Sequence, residues 1–266
     1  MPLVISIAGS DPGRGAGLQM DERVCRRMGV QFRGVVAVDT VQDDGGLRSV
    51  TPRPVEQVVE ELQAALVVRQ ELDGASDHAA AGVAVKTGAL GTSSLVMAVA
   101  EVISNFNRQI ESEVSLIIDP VRLATKHLDA QLLSEEGWSS LKERLFPLAT
   151  LVTPNTLEFG EGSEYENCRM ILLKGGHRHE GDPGRSSVAA ESVCDELWHQ
   201  GELIRSVVQP RLKGGTDVHG TGCALSALIS VHLAQSKTVT QAVEASLAQL
   251  HQWIQIALAN RSDLLQ

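Results

Sequence analysis

The chain has 266 residues, 43% hydrophobic and 21% charged, which supports a sizeable core in one large or two small domains and excludes disorder, collagen-like repeats and disulfide scaffolds. A net charge of −10, from 23 basic and 33 acidic side chains, repels phosphate backbones and argues against general binding of nucleic acid or anionic membranes. Four Phe, three Trp and one Tyr are too few for a platform that stacks single-stranded bases, so phosphate has to be met locally by aimed N–H groups, a few cations or a metal.

Short β-branched runs alternate with longer helical patterns, the order expected of βαβ units around a mainly parallel sheet. LVISIA (3–8) is predicted as a strand, Ala16 to Met28 as a helix and FRGVVAV (32–38) as the next strand. Pro52 to Val68 reads as a helix, with Val55, Val58, Val59, Leu62 and Leu66 at core spacing. Gln70 to Gly82, rich in Ala, Asp and His, is expected to be a flexible loop. GVAVKTG (82–88) is a strand, Ser94 to Phe106 a helix, and VSLIID (114–119) the clearest buried strand. Leu132 to Leu145 is predicted helical, ATLVT (149–153) and MILLK (170–174) extended. SVCDELWHQGELIRSVV (192–208) alternates around Gln200 and Gly201 as an antiparallel hairpin does, adding an edge to the sheet. Thr221 to Ala234, with Leu225, Leu228 and Ile229 as core, and Val239 to Ala259 are the closing helices. No repeat or composition break divides the chain, so one α/β domain over 1–266 is expected, with helices on both faces of the sheet.

Cys25, Cys168, Cys194 and Cys223 form no CxxC pair, which argues against a structural zinc or a disulfide framework and fits a reducing compartment. The start lacks the basic region of a signal peptide, and His232 interrupts the apolar run ALSALISVHLA. A soluble, cytoplasmic protein is expected.

Three segments carry phosphate-type signals. GSDPGRGAG (9–17) follows the first strand, but its glycines miss the GxGxxG spacing of a dinucleotide fold, and no lysine follows a glycine as a Walker loop requires. It reads either as a plain strand-to-helix turn or as a loop whose backbone approaches a ligand, with Asp11, Gln19 and Asp21 for polar contacts. In HGTGCALSA (219–227), Gly220, Thr221 and Gly222 open an apolar helix whose first N–H groups suit an anion. Cys223 lies in that first turn, where the helix field favours thiolate and a proton-accepting role; a cap followed by a buried cysteine is the plainer alternative. In TPNTLE (153–158), Asn155 and Glu158 stand three apart and suit Mg²⁺ if they share a helical turn. Asp119 and Lys174 sit at two further strand exits, and ligands of open α/β sheets bind beyond those ends. A cation, a carboxylate, an amide–carboxylate pair and an anion-binding helix start are the parts of phosphoryl transfer.

In this order, IAGSDPGRGAG, KTGALG, IIDPV, PLATLVTPNTLE, LLKGGH and HGTGCALSA resemble the hydroxymethylpyrimidine and phosphomethylpyrimidine kinases of thiamine biosynthesis, in the ribokinase-like superfamily. The resemblance covers most of the chain. It implies a three-layer α/β/α sandwich, ATP and Mg²⁺, phosphorylation of 4-amino-5-hydroxymethyl-2-methylpyrimidine and then of its monophosphate, and a homodimer. Carried over by position, Cys223 resembles the base and Gly220, Thr221 and Gly222 the anion hole. Asn155 and Glu158 resemble the pair that organises Mg²⁺ and phosphate, with Asp119 nearby, and Lys174 the lysine reaching the nucleotide. Gly9, Ala16, Asp21, Gln42 and Val121 match the pyrimidine pocket; the Gln42 amide offers a donor and an acceptor to an aminopyrimidine edge.

Three departures stand out. Ala89 replaces the family's usual methionine and leaves room in the pocket, so a pyridoxal-type substrate is the alternative. After DPV the chain brings Arg122, Lys126 and His127 towards the site. Only 18 residues separate Asn155 from Lys174, so part of a nucleotide-side helix is expected to be missing, which motivates a binding-only relative as the second alternative. His177 and His179 read as solvated and Asp43 and Asp44 as turn residues, none of them metal ligands.

Overall fold

In the computed structural model, residues 1–11, 15–43, 46–73, 82–110, 113–124, 127–160, 163–176, 191–215 and 218–265 are described. Along the chain run β1 (Leu3–Ser10), α1 (Gly17–Arg27), β2 (Gln31–Asp43), β3 (Gly46–Pro52), α2 (Val55–Asp73), β4 (Val83–Thr87), α3 (Ser93–Gln109) and β5 (Ser115–Ile118). There follow β6 (Leu123–Ala124), β7 (His127–Gln131), α4 (Glu135–Ser140), β8 (Leu151–Val152), α5 (Thr156–Phe159), β9 (Met170–Leu173), β10 (Ser192–His199), β11 (Glu202–Pro210), α6 (Thr221–Ala234) and α7 (Val239–Asn260).

Nine strands form one sheet in the order β11-β10-β9-β8-β5-β4-β1-β2-β3. The six from β9 to β2 are parallel, as the apolar runs predict for strands covered on both faces. The hairpin expected around Gln200 and Gly201 forms the antiparallel β10–β11 edge. The sequence reading did not anticipate β3, which closes the other edge antiparallel to β2, or the separate β6–β7 ribbon.

Side chains alternate across the sheet with a period of two, and each face has its own core. Leu3, Ile5 and Ile7 of β1 and Val85 of β4 face α2, α3 and α4. Val4, Ala84 and Ile117 face α1, α6 and α7. This is the expected three-layer α/β/α arrangement.

Element boundaries follow local chemistry. Thr92 caps α3, accepting from Leu95 N, and Ser134 caps α4, accepting from Gly137 N at 3.0 Å. The helix predicted over Leu132 to Leu145 therefore starts at Glu135. It ends in a π-helical turn (Leu141–Leu145) and a 3₁₀ turn (Phe146–Leu148), where Pro147 removes an N–H. The first residues of the expected Gln70 to Gly82 loop continue α2, and 74–81 lie outside the described residues.

Between β8 and β9 the described residues hold only α5 and a 3₁₀ turn (Ser163–Tyr165), in agreement with the shortening read from the sequence. Rings fill the space beneath this short crossover. Tyr165 stacks on Phe146 with centroids 5.3 Å apart and touches Phe159 at 5.1 Å, while Trp138 meets Phe146 edge-on at 5.9 Å. Tyr165 Oη donates to the Glu158 carbonyl at 3.1 Å, tying the cluster to α5.

Candidate active site

The carboxyl ends of neighbouring parallel strands bring the polar residues together. Asp119 N donates to Thr87 O at the β4–β5 exit, Thr153 N to Ile118 O, and Lys174 N to Pro154 O, so Asn155 and Lys174 stand side by side across the β8–β9 ends. One cleft of about 240 Å³ is lined by Ala16, Val121, Asp119, Asn155, Glu158, Lys174 and the run Gly220 to Cys223. The edge hairpin and α7 line it with apolar Val193, Leu247, Leu250 and Ile254 beside polar Asp195, Gln209, Arg211 and His251.

Lys174 Nζ lies 2.9 Å from Asp119 Oδ1, and the two side chains are 12% and 4% exposed. Ser226, one turn beyond Cys223 on α6, donates to Asp119 Oδ2 at 3.2 Å. Burial works to raise the Asp119 carboxyl, but the Lys174 and Lys86 ammoniums hold it below the usual carboxylate value. Burial likewise opposes the charge on Lys174, and Asp119 and Glu158 outweigh it. A Cβ built on Gly222 would lie 3.6 Å from Lys174 Nζ, so the ammonium rests against the first turn of α6.

Asn155 and Glu158 form a capping box around α5. The Asn155 side chain accepts from Leu157 N and Glu158 N at 2.9 Å each, and Glu158 Oε2 accepts from Asn155 N at 2.9 Å. The NxxE spacing thus has a local structural task, while both residues still line the cleft. Burial pushes the Glu158 carboxyl up to about 7; Lys174 lowers it, Asp119 raises it, and the N–H groups of Asn155 and Arg122 lower it again. A hard cation beside these two carboxylates would relieve their repulsion. Among the described residues no three His, Cys, Asp or Glu gather for a metal, so at most these two carboxylates would offer such a cation their oxygens.

Gly220 makes the start of α6 possible. It adopts φ +81°, and a Cβ there would sit 1.9 Å from Gly15 O, so no other residue lets Gly15 meet the helix so closely. Asp11 accepts from Gly15 N at 3.0 Å and Ala16 N at 2.8 Å, with His219 Nε2 3.7 Å away. Cys223 follows in the first turn. Its expected thiolate is corrected by its surroundings: burial pushes the thiol up to about 11, Lys86 pulls it down, Asp119 and Asp21 push it up, and Gly17 N–H pulls it down.

The phosphomethylpyrimidine kinase family profile matches residues 11–166 and 160–264. The hydroxymethylpyrimidine/phosphomethylpyrimidine kinase of Mycobacterium leprae is 34% identical over 257 residues, 90% of this chain and 84% of that protein. The chain belongs to the phosphomethylpyrimidine kinase family. Its fold is that of the crystallised phosphomethylpyrimidine kinase of Clostridium difficile 630 (TM-score 0.68, 22% identity, 95% and 99% of the chains covered). It is also that of the Staphylococcus aureus pyridoxal kinase solved with AMP-PCP and pyridoxal (TM-score 0.73, 22% identity, 96% and 88% covered).

Within this family member, two predicted pocket residues, Gly9 and Asp21, are not among those lining the cleft. Gly9 is buried at a β-bulge against Val38, and a Cβ on it would be 3.7 Å from Ala89. Asp21 is sealed beneath the cleft by Lys86, because α1 turns it onto the sheet. The Gln42 side chain lies outside the described residues, as do the side chains of Asp43 and His127 and the whole of Asp44, Lys126, His177 and His179. Arg122 does not line the cleft either. Its guanidinium reaches both Glu135 carboxylate oxygens at 2.8 Å and lies over the Trp138 ring at 5.3 Å, which occupies the extra charge elsewhere. Sequence reasoning missed Asp195 and Arg211, cleft residues from the edge hairpin, and Ser226, whose three-residue spacing from Cys223 was the available signal.

Proposed function

We propose that the chain transfers the γ-phosphoryl group of ATP to the hydroxymethyl group of 4-amino-5-hydroxymethyl-2-methylpyrimidine, and then phosphorylates the monophosphate. The observation that carries this reading is the convergence of Lys174, Asp119, Glu158 and the Gly220 to Cys223 helix start on one cleft. The acceptor oxygen attacks the γ-phosphorus, the bond to the β–γ bridging oxygen breaks, and ADP leaves with that electron pair. Lys174 moves from Asp119 to the nucleotide phosphates, and the N–H groups of Thr221, Gly222 and Cys223 meet the moving phosphoryl oxygens. Mg²⁺ held by Asp119 and Glu158 would supply charge neutralisation on the phosphates. Cys223 takes the hydroxyl proton after its thiol has lost its own to solvent. Ala16 and Val121 bound the acceptor end, and the family resemblance adds Gln42 as a further contact. The same reading makes the protein a cytoplasmic homodimer of single-domain chains, which sedimentation checks for assembly.

An ADP-release assay over the pyrimidine alcohol, its monophosphate and pyridoxal tests the substrate. Turnover on the two pyrimidines above pyridoxal is expected; pyridoxal preference, or binding of a pyrimidine without ADP release, overturns it. Because the thiol sits near 11, kcat is expected to rise with pH by up to about tenfold per unit between pH 7 and 9. Cys223→Ala is expected to lose at least about 100-fold in kcat, and equal turnover would remove Cys223 as the base.

A further inference from the structure

Lys86 stands on β4 opposite Ser6 of β1, on the sheet face covered by α1 and α6. It and Asp21 are both 0% exposed, with Nζ 2.9 Å from Asp21 Oδ2. Ser6 Oγ donates to the same oxygen, while Asp21 Oδ1 has no hydrogen-bond partner among the described residues. A buried ion pair is a costly way to fill space that two apolar side chains would fill as well, and the residues of β4 before Lys86 are Val83, Ala84 and Val85. The charge itself is what the apolar alternative would lack.

Three observations tie this pair to the reacting end of the cleft. Asp21 lies one turn beyond Gly17 on the same side of α1, and a Cβ on Gly220 at the head of α6 would meet Met20 Cε at 2.8 Å, so the residue beside Asp21 packs against the turn that leads into Cys223. The helix whose first turn carries Cys223 packs on both β4 and β1. A Cβ on Gly88, just past the end of β4, would lie 3.8 Å from Lys86 Nζ, so the ammonium reaches towards the strand exit. The charged groups around the sulfur are Lys86 from β4, Asp21 from α1, Asp119 from the β5 exit and Lys174 from the β9 exit.

We propose that Lys86 is a positioning residue for phosphoryl transfer: clamped by Asp21 and Ser6, it keeps a fixed positive charge behind Cys223, and the two members of the pair act on the sulfur with opposite sign. The inference rests on Cys223 facing the acceptor hydroxyl. Its test is the pH dependence of iodoacetamide alkylation at Cys223 in the full chain, read by peptide mass spectrometry so that Cys25, Cys168 and Cys194 are counted separately. Lys86→Met is expected to move the midpoint up by about one unit or more, slowing alkylation about tenfold at pH 8. Asp21→Asn moves it down, and the double variant falls between. Loss of structure would expose the thiol and change both single variants in the same direction; that result, or an unmoved midpoint in folded Lys86→Met, overturns the proposal. Should Lys86→Met fail to fold, the double variant, which buries no unpaired charge, takes its place. A lower midpoint in Asp21→Asn than in the double variant supports the role of Lys86, and equal midpoints overturn it. Full turnover by Cys223→Ala would instead remove the base assignment, with the midpoint shifts standing or falling by themselves.

Discussion

Two lysine–aspartate pairs flank the head of α6, each at 2.9 Å, and they differ in access to water. Lys86–Asp21 is sealed at 0% on both sides, whereas Lys174–Asp119 retains 12% and 4% exposure at the cleft. A sealed pair cannot change partners, so it acts only through its field and through the fold. A pair that lines the cleft can: in the proposed reaction Lys174 would exchange Asp119 for a phosphate, leaving Asp119 free to face a cation. Chemically equal pairs thus divide into a fixed charge and an exchangeable one.

The largest effect expected is on the sealed pair. Lys86→Met leaves Asp21 buried without its cation and is expected to cost about 3–5 kcal/mol in urea unfolding, with most of it recovered by adding Asp21→Asn. An equal loss in the double variant would mean that packing, and not charge, is at stake there. Lys174→Met tests the exchangeable side: kcat/KM for ATP is expected to fall at least about 100-fold, with a smaller loss of stability because Asp119 can rehydrate from the cleft. If its stability loss matched that of Lys86→Met, the distinction between the pairs would fail. The smallest effect concerns Glu158, beside the exchangeable pair. Its folded value of about 7 lies above the ordinary 4.5, so its favourable contribution is present at low pH and lost as pH rises through 7. Glu158→Gln is therefore expected to raise Tm by a few degrees, roughly 2–4 °C, at pH 8 and to leave it unchanged below pH 4.5; no change at either pH would show that water or Lys174 already compensates the carboxylate.

The layers and parallel core strands were legible because they rest on apolar periodicity, and the hairpin because Gln200 and Gly201 interrupt an alternation. β3 escaped notice because GLRSVTP carries no clear apolar alternation, and the two-residue β6 is too short to carry a pattern. At the site, strand exits located Asp119, Asn155 and Lys174 correctly, since chain direction alone puts them at one sheet edge. The fates of Asp21 and Arg122 were not legible. Asp21 and Lys86 are 65 residues apart in sequence, and only the packing of α1 on β4 turns a pocket carboxylate into a buried counter-ion. Arg122 finds Glu135 and Trp138 through the turn into α4, which no local spacing announces. The surroundings of Cys223 were not legible for a related reason: a helix start is visible in sequence, but the charged groups packed around it come from other strands and helices.

The ring cluster under the short crossover gives this chain an optical handle. Trp138 is 2% exposed, its indole N–H meets Glu164 at 2.9 Å, and Tyr165 connects the same cluster to the Glu158 carbonyl. That indole is therefore linked through Tyr165 to α5, which carries the cleft residue Glu158, while Trp198 and Trp253 lie in other parts of the structure, on β10 and α7. A chain carrying Trp138 as its sole tryptophan would report nucleotide occupancy by its own fluorescence, without a label.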